Sequence, residues 1–230
     1  RGVVGGVDPF ASLKIINKGT DGIIGTADDA AGAVNVTFDR EVTVAGDMTI
    51  WATGVVTFKS SVVLTSGNLT IKGASQIVFE QGVTVQGGGD IFLEGNEVDF
   101  KTGTESMVGT GKLTIRPSTT NMSIELASPP LEQSDRLNIT LAEVQAIADG
   151  FSEIIIGRKD SVTGHAEAGT GAVRIGANTV EQQITFRDKL SVYGGSIEVS
   201  DYTNPAITLV AADAVTLDAV GNISINNRFT

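Results

Sequence analysis

Cysteine is absent from this 230-residue chain. Disulfides, thiolate nucleophiles and Cys-ligated zinc are therefore excluded, and the redox compartment is left open. Histidine occurs once, as His165 in "SVTGHAEAG". A serine triad would need that ring beside an activated serine and an acid. No G-x-S-x-G is present, and the Gly-rich setting reads as an exposed turn. Aromatics make up 5%, so any core is mostly Val, Ile and Leu. Basic residues are outnumbered, 16 Lys and Arg against 27 Asp and Glu, for a net charge of −11. Such a surface repels phosphate backbones and anionic headgroups, which argues against nucleic acid and lipid partners. No apolar run approaches the roughly 18 residues of a membrane span, so no membrane insertion is expected. Arg1 is followed by no apolar leader. The expectation is a segment of a longer chain, with any export signal outside it.

Proline is also scarce, at 5, whereas glycine is abundant, at 28. Many tight turns between short strands fit that balance. The strands repeat. "TFDREVTVAGDMTIWATG", "TFKSSVVLTSGNLTIKGA" and "VFEQGVTVQGGGDIFLEG" each carry a Phe in second place: Phe38, Phe58 and Phe79. Val42, Val62 and Val83 follow four residues later, then Val44, Leu64 and Val85. After a turn rich in Gly, Asn and Asp come Met48/Ile50, Leu69/Ile71 and Ile91/Leu93. A looser fourth copy begins at Phe100 and includes Leu113 and Ile115, so the Phe spacings are 20, 21 and 21. Downstream, Phe186, Leu190, Val192, Ile197 and Val199 repeat the pattern, and Val215, Leu217, Ile223 and Ile225 repeat part of it. "EIIIGR" and "AVRIGA" read as two further strands.

Apolar residues alternating with Thr, Ser, Lys and Glu give the period of two that marks a strand. Strands this short cannot bury an apolar face alone. Coils of about 21 residues can, if equivalent strands pair in parallel about 4.8 Å apart. Val42, Val62 and Val83 then form one internal column, Ile50, Ile71 and Leu93 another, and the phenylalanines a ladder. The predicted fold is all-β, a parallel β-helix or β-solenoid. Eight or so coils would make a rod roughly 40 Å long. An antiparallel sandwich or barrel also has many short strands, but it does not require constant offsets from unit to unit.

The pattern divides the chain into four parts. Residues 1–33 form an N-terminal segment and 34–117 a first block of coils. Residues 118–150 form an excursion with a short helix near 140–149, and 151–230 a second block. Thr140 and Glu143 make a capping box. Leu141, Val144, Ile147 and Ala148 then share one helical face, and Asp149-Gly150 ends it. The excursion reads as structural decoration over the stack or a divider between blocks.

Chemistry-bearing residues are few. Glycosidases need two carboxylates facing one pocket, and no acidic pair here has a spacing that requires one. Trp51 and Phe92 alternate with core pairs, so both are expected to point outward. An exposed Trp can stack on a sugar or anchor an interface; the other reading is a ring covered by its neighbours. "GTDGIIGTADDAAG" (19–32) sets Asp21, Asp28 and Asp29 among four glycines. Carboxylates and carbonyls on a Gly-bent loop suit Ca²⁺, which takes six to eight oxygens. With no Lys or Arg between them, the three carboxylates would repel one another without a cation. The site reads as a structural calcium loop formed by Asp21, Asp28 and Asp29. The competing reading is a solvated acidic turn.

With the coils and the loop, the chain resembles the β-helical repeat regions of very large bacterial secreted and surface proteins, the filamentous-haemagglutinin-like and giant adhesin class. D-G-x-x-G-T-x-D-D, here Asp21 to Asp29, is similar to a loop of such proteins. "ITLAEVQAIADGFSEIIIGRKDSVTGHAEAG" (139–169), with its D-G-F-x-x-I-x-I-G-R core, resembles a segment between their coil blocks. The resemblance implies an extracellular scaffold, adhesin stalk or filament component at the bacterial surface, with no chemistry of its own. Implied partners are flanking solenoid coils, another copy, and cell-surface glycans or matrix. The alternative function is a carbohydrate-binding module or lyase-like enzyme on the same fold. Such enzymes cluster Asp, Arg, Lys or His on neighbouring coils, whereas the outward positions here are mainly Thr, Ser, Lys and Glu.

Overall fold

In the computed structural model the chain winds as a parallel β-solenoid of about seven turns. The described residues are 9–16, 33–128, 135–176, 183–200 and 208–226. Most turns place one strand on each of three walls. The long wall has eight strands, all paired in parallel: Leu13–Ile16, Met48–Trp51, Leu69–Ala74, Ile91–Gly95, Lys112–Arg116, Glu153–Gly157, Leu190–Gly194 and Val215–Ala219. A second wall begins with Val36–Phe38, Val55–Phe58, Gln76–Phe79 and Val98–Phe100. A third begins with Val42–Val44, Val62–Leu64, Val83–Val85 and Met107–Gly109.

The internal columns follow from the period of two. Val42, Val62 and Val83 pair in register, as do Ile50, Ile71 and Leu93, and all are buried. Burying each such side chain stabilises the fold by about 1.5–3 kcal/mol. On the second wall Phe38 and Phe58 stack at 4.8 Å with 2° between planes, and Phe58 and Phe79 at 5.0 Å with 5°. Phe100 is tilted by 36° at 5.9 Å, matching its place in the looser copy.

A polar ladder runs along the corner leading into the long wall. Asn68 N–H donates to Asp47 Oδ1 (2.8 Å), Asp90 N–H to Asn68 Oδ1 (2.8 Å), and Lys112 N–H to Asp90 Oδ1 (2.7 Å). Glycine precedes each of these side chains. At Gly89 a Cβ would lie 1.7 Å from the Gly67 carbonyl oxygen, so the coils stack this closely only without one.

The segment 118–150 contributes two strands as well as the helix. Ser123–Ser128 extends the second wall, and Arg136–Thr140 pairs with it in parallel on the side nearer the first block. Val173–Ile175, Ile197–Val199 and Ile223–Ile225 continue this wall on the other side. The sheet order therefore departs from chain order at this point. The helix runs Leu141–Ala146 behind a full Thr140–Glu143 capping box. It stops short of the expected end because Ile147 bridges in parallel to Met107, and Ala148 N–H donates to Met107 O at 3.0 Å. The free edge of the third wall outcompetes another helical turn. Glu105 and Ser106 N–H cap the helix carbonyls of Gln145 (3.0 Å) and Ala146 (2.8 Å). Beyond the helix, Gln183–Phe186 and Thr208–Ala211 pair as a separate two-stranded sheet.

Candidate functional site

The D-G-F-x-x-I-x-I-G-R stretch is a structural joint. Gly150 and Phe151 N–H donate to the two oxygens of Asp188 at 3.2 and 3.0 Å. Ile154 and Ile156 enter the core. Gly157 has φ +94°, and a Cβ there would meet Tyr193 O at 2.0 Å. The buried Arg158 turns its Nη2 onto the carbonyls of Pro117 and Ser118, both at 2.9 Å. Glu94 and Glu167 lie 3.9 and 3.5 Å from its guanidinium. At the opposite end of the strand Glu153–Gly157, Glu153 accepts from Ser191 Oγ (2.7 Å), Lys112 Nζ (3.0 Å) and Lys189 Nζ (3.1 Å). Burial works to raise the Glu153 pKa, but these bonds outweigh it and hold the carboxyl at about 2.

The outward face of the long wall carries two columns. One reads Lys14, Thr49, Thr70, Phe92, Thr114, Ile155 and Ser191 in direct register. In the other, Ile16, Trp51 and Lys72 are in register, as are Glu94 and Arg116; a bulge separates the two runs. Trp51 and Phe92 point outward as expected, and both are half-buried. Their cover is cationic: Lys72 Nζ lies 6.0 Å from the Trp51 ring centre and 5.2 Å from that of Phe92. The Arg116 guanidinium approaches Phe92 at 4.8 Å while its Nε donates to Glu94 at 2.8 Å.

A groove of about 440 Å³ lies between Phe92, Thr114 and Arg116 on one side and the loop 159–164 on the other. A second of about 280 Å³ shares Phe92 and Thr114 and extends past Lys72 toward Asn68. The loop is pinned by a 2.8 Å contact from His165 Nδ1 to Asp218 Oδ2 and by Ala166 N–H donating to Asp218 Oδ1 at 3.0 Å. His165 is exposed, as expected of a turn, and its partner is a carboxylate that ties the loop to the last long-wall strand.

A second acidic group sits where the helix docks. Glu143 is buried, and Phe100 N–H points at its Oε1 from 3.4 Å. Burial pushes its carboxyl up to about 7, and Asp99 adds to the rise, against bonds from Thr140 that lower it. Glu97 is pushed up to about 8, first by burial, then by the charges of Asp99 and Glu143.

Asp21, Asp28 and Asp29 lie outside the described residues. Among the described residues no three His, Asp or Glu side chains are grouped to hold a metal ion, and no helix is long and apolar enough to cross a membrane. The cations Lys72 and Arg116 were missed in the sequence, although aligned repeats show them: Trp51, Lys72, Glu94 and Arg116 each stand three residues after the first core residue of their strand. Lys159 follows the end of its strand and carried no such signal. No family model matches the chain, and no curated protein or solved structure matches it.

Proposed function

We propose that this chain is a rigid β-solenoid section of an exported bacterial surface protein, acting as an adhesin stalk, scaffold or extracellular filament component. The observation that supports this reading most is the unbroken parallel long wall of eight strands. A stack in which each coil contacts only its neighbours is stiff along its axis and can be lengthened without redesign. Apart from Glu97, Asp99 and Glu143, grouped where the helix docks, most of its described carboxylates serve corners, caps and ion pairs. The reading gives the protein no chemistry of its own. Its partners are further coils or copies, with surface glycans or matrix beyond them. It also assigns Ca²⁺ to Asp21, Asp28 and Asp29, and calcium titration calorimetry on wild type and on Asp28→Asn/Asp29→Asn tests that assignment.

The location is tested in the bacterium that makes the protein. Antibody labelling of intact cells, paired with protease shaving, is expected to find the chain outside the cell. Full protection from protease, with labelling only after lysis, would sink the proposal.

A further inference from the structure

We propose that the open face of the long wall binds an extended acidic polysaccharide whose anionic groups meet the wall on every second sugar. The case rests on spacing. Lys14, Lys72 and Arg116 stand on alternate strands, Lys72 and Arg116 in the Trp51 column and Lys14 one column over. Trp51 stands on one intervening strand, and Phe92 with Glu94, the partner of Arg116, on the other. Two strand steps advance about 9.6 Å, close to the length of two pyranoses in an extended β-1,4-linked chain. In such a two-fold chain, alternate carboxylates face the same side. Lys159, over Tyr193 at 5.3 Å, adds a cation where the groove meets the loop wall.

The chemistry agrees. Lys14, Lys72 and Lys159 form no ion pair among the described residues, and Arg116 has guanidinium donors beyond those it gives to Glu94. Thr49, Thr70 and Thr114 share a row with Lys14 and Phe92, next to the row of Lys72 and Arg116, and offer hydroxyls to sugar oxygens. The rest of the molecule is acidic, with a net charge of −11. That net charge repels a polyanion from the molecule as a whole. Binding therefore rests on the local cations Lys14, Lys72, Arg116 and Lys159, with the carboxylate of Asp160 lining the same groove and that of Glu94 paired to Arg116 beside it. A nucleic acid carries a charge on every unit and fits an alternating stripe poorly. The inference stands on the long wall alone, so its failure leaves the scaffold reading untouched.

The test uses β-1,4-mannuronate oligomers, neutral β-1,4-glucan oligomers of equal length, and poly(dT). Trp51 is the single tryptophan and reports binding by its fluorescence beside Lys72. The mannuronate chain is expected to shift that signal and to bind less tightly as salt rises, while the glucan and poly(dT) leave it unchanged. Lys72→Glu with Lys159→Glu is expected to weaken binding at least about tenfold, two like-charge contacts replacing two attractive ones. Lys59→Glu with Lys101→Glu, off this wall, is expected to have no effect. A melting curve shows whether the first pair folds; if it does not, Lys72→Gln with Lys159→Gln takes its place. Absence of mannuronate binding would overturn the proposal. So would equal binding of the neutral glucan or of poly(dT), or an equal loss in the off-wall pair.

Discussion

Phe58 is the central ring of the ladder, stacked on both faces and fully buried. Phe58→Ala removes contacts from two neighbouring coils at once, and the expected cost is about 3–5 kcal/mol in chemical denaturation. A midpoint within error of wild type would show that the ladder does not hold the coils together. The carboxylates set a second expectation, in pH. Glu97 and Glu143 are raised to about 8 and about 7 in the fold, from an ordinary value of 4.5. A raised carboxylate binds its proton more tightly folded than unfolded. Its contribution is complete below about pH 4.5 and is lost as pH rises through 7 to 8. Glu153, held at about 2, has the opposite sign. Its contribution is complete above about pH 4.5 and is lost as pH falls toward 2. The melting temperature should therefore peak near pH 5 and decline on both sides. Glu143→Gln preserves the capping-box pattern and should flatten the alkaline limb. A wild-type curve that is level from about pH 5 to pH 9 would contradict this account.

At the level of elements, the joint around Arg158 decides whether the two blocks act as one stack. Its guanidinium holds two backbone carbonyls of the residues that leave the strand Lys112–Arg116, and it lies between Glu94 and Glu167. Arg158→Met fills similar space but strands those carbonyls and leaves the half-buried Glu94 and Glu167 less compensated. The expected loss is about 3 kcal/mol. Arg158→Lys should recover only part, because an ammonium lacks the planar fork. Hydrogen exchange gives the local readout: amides of 153–157 should exchange faster than those of 91–95 in the Met variant. An equal change in both strands would mean the joint has no local role. The walls themselves were legible in the sequence, because a period of two at fixed offsets leaves parallel stacking as the arrangement that buries the repeated Val, Leu and Ile columns. The helix start was legible in Thr140 and Glu143. Its end was not, since the edge of Met107–Gly109 that captures Ile147 is distant in sequence. The insertion of Arg136–Thr140 ahead of Ser123–Ser128 was hidden for the same reason: no local pattern names a strand's partner. The cation–aromatic face was half visible. Its residues sit at repeat positions, but their spacing becomes a charge pattern only once the strand order is known.

At the scale of the whole molecule, a solenoid has to deal with its ends. Ile197 and Val199 are 1% and 2% exposed, yet Ile223 and Ile225, which pair with them in register, are each 43% exposed. The strand Val215–Ala219 likewise has a partner on one side alone among the described residues. An apolar column and an unpaired strand edge together favour addition of another coil in the same parallel sense. A second copy can supply that coil, and a head-to-tail contact between copies does not close on itself. The isolated chain should therefore associate as its concentration rises, with light scattering growing continuously rather than stopping at a dimer. Ile223→Lys with Ile225→Lys places two charges on the end coil, a device by which natural edge strands avoid pairing. The double variant should remain monomeric with an unchanged melting temperature, because the side chains it replaces are already part-exposed. Association that survives the two lysines would move the contact to another surface. A wild type that stays monomeric at every concentration would mean that an open coil end is not enough to drive assembly, and it would weaken the filament reading directly.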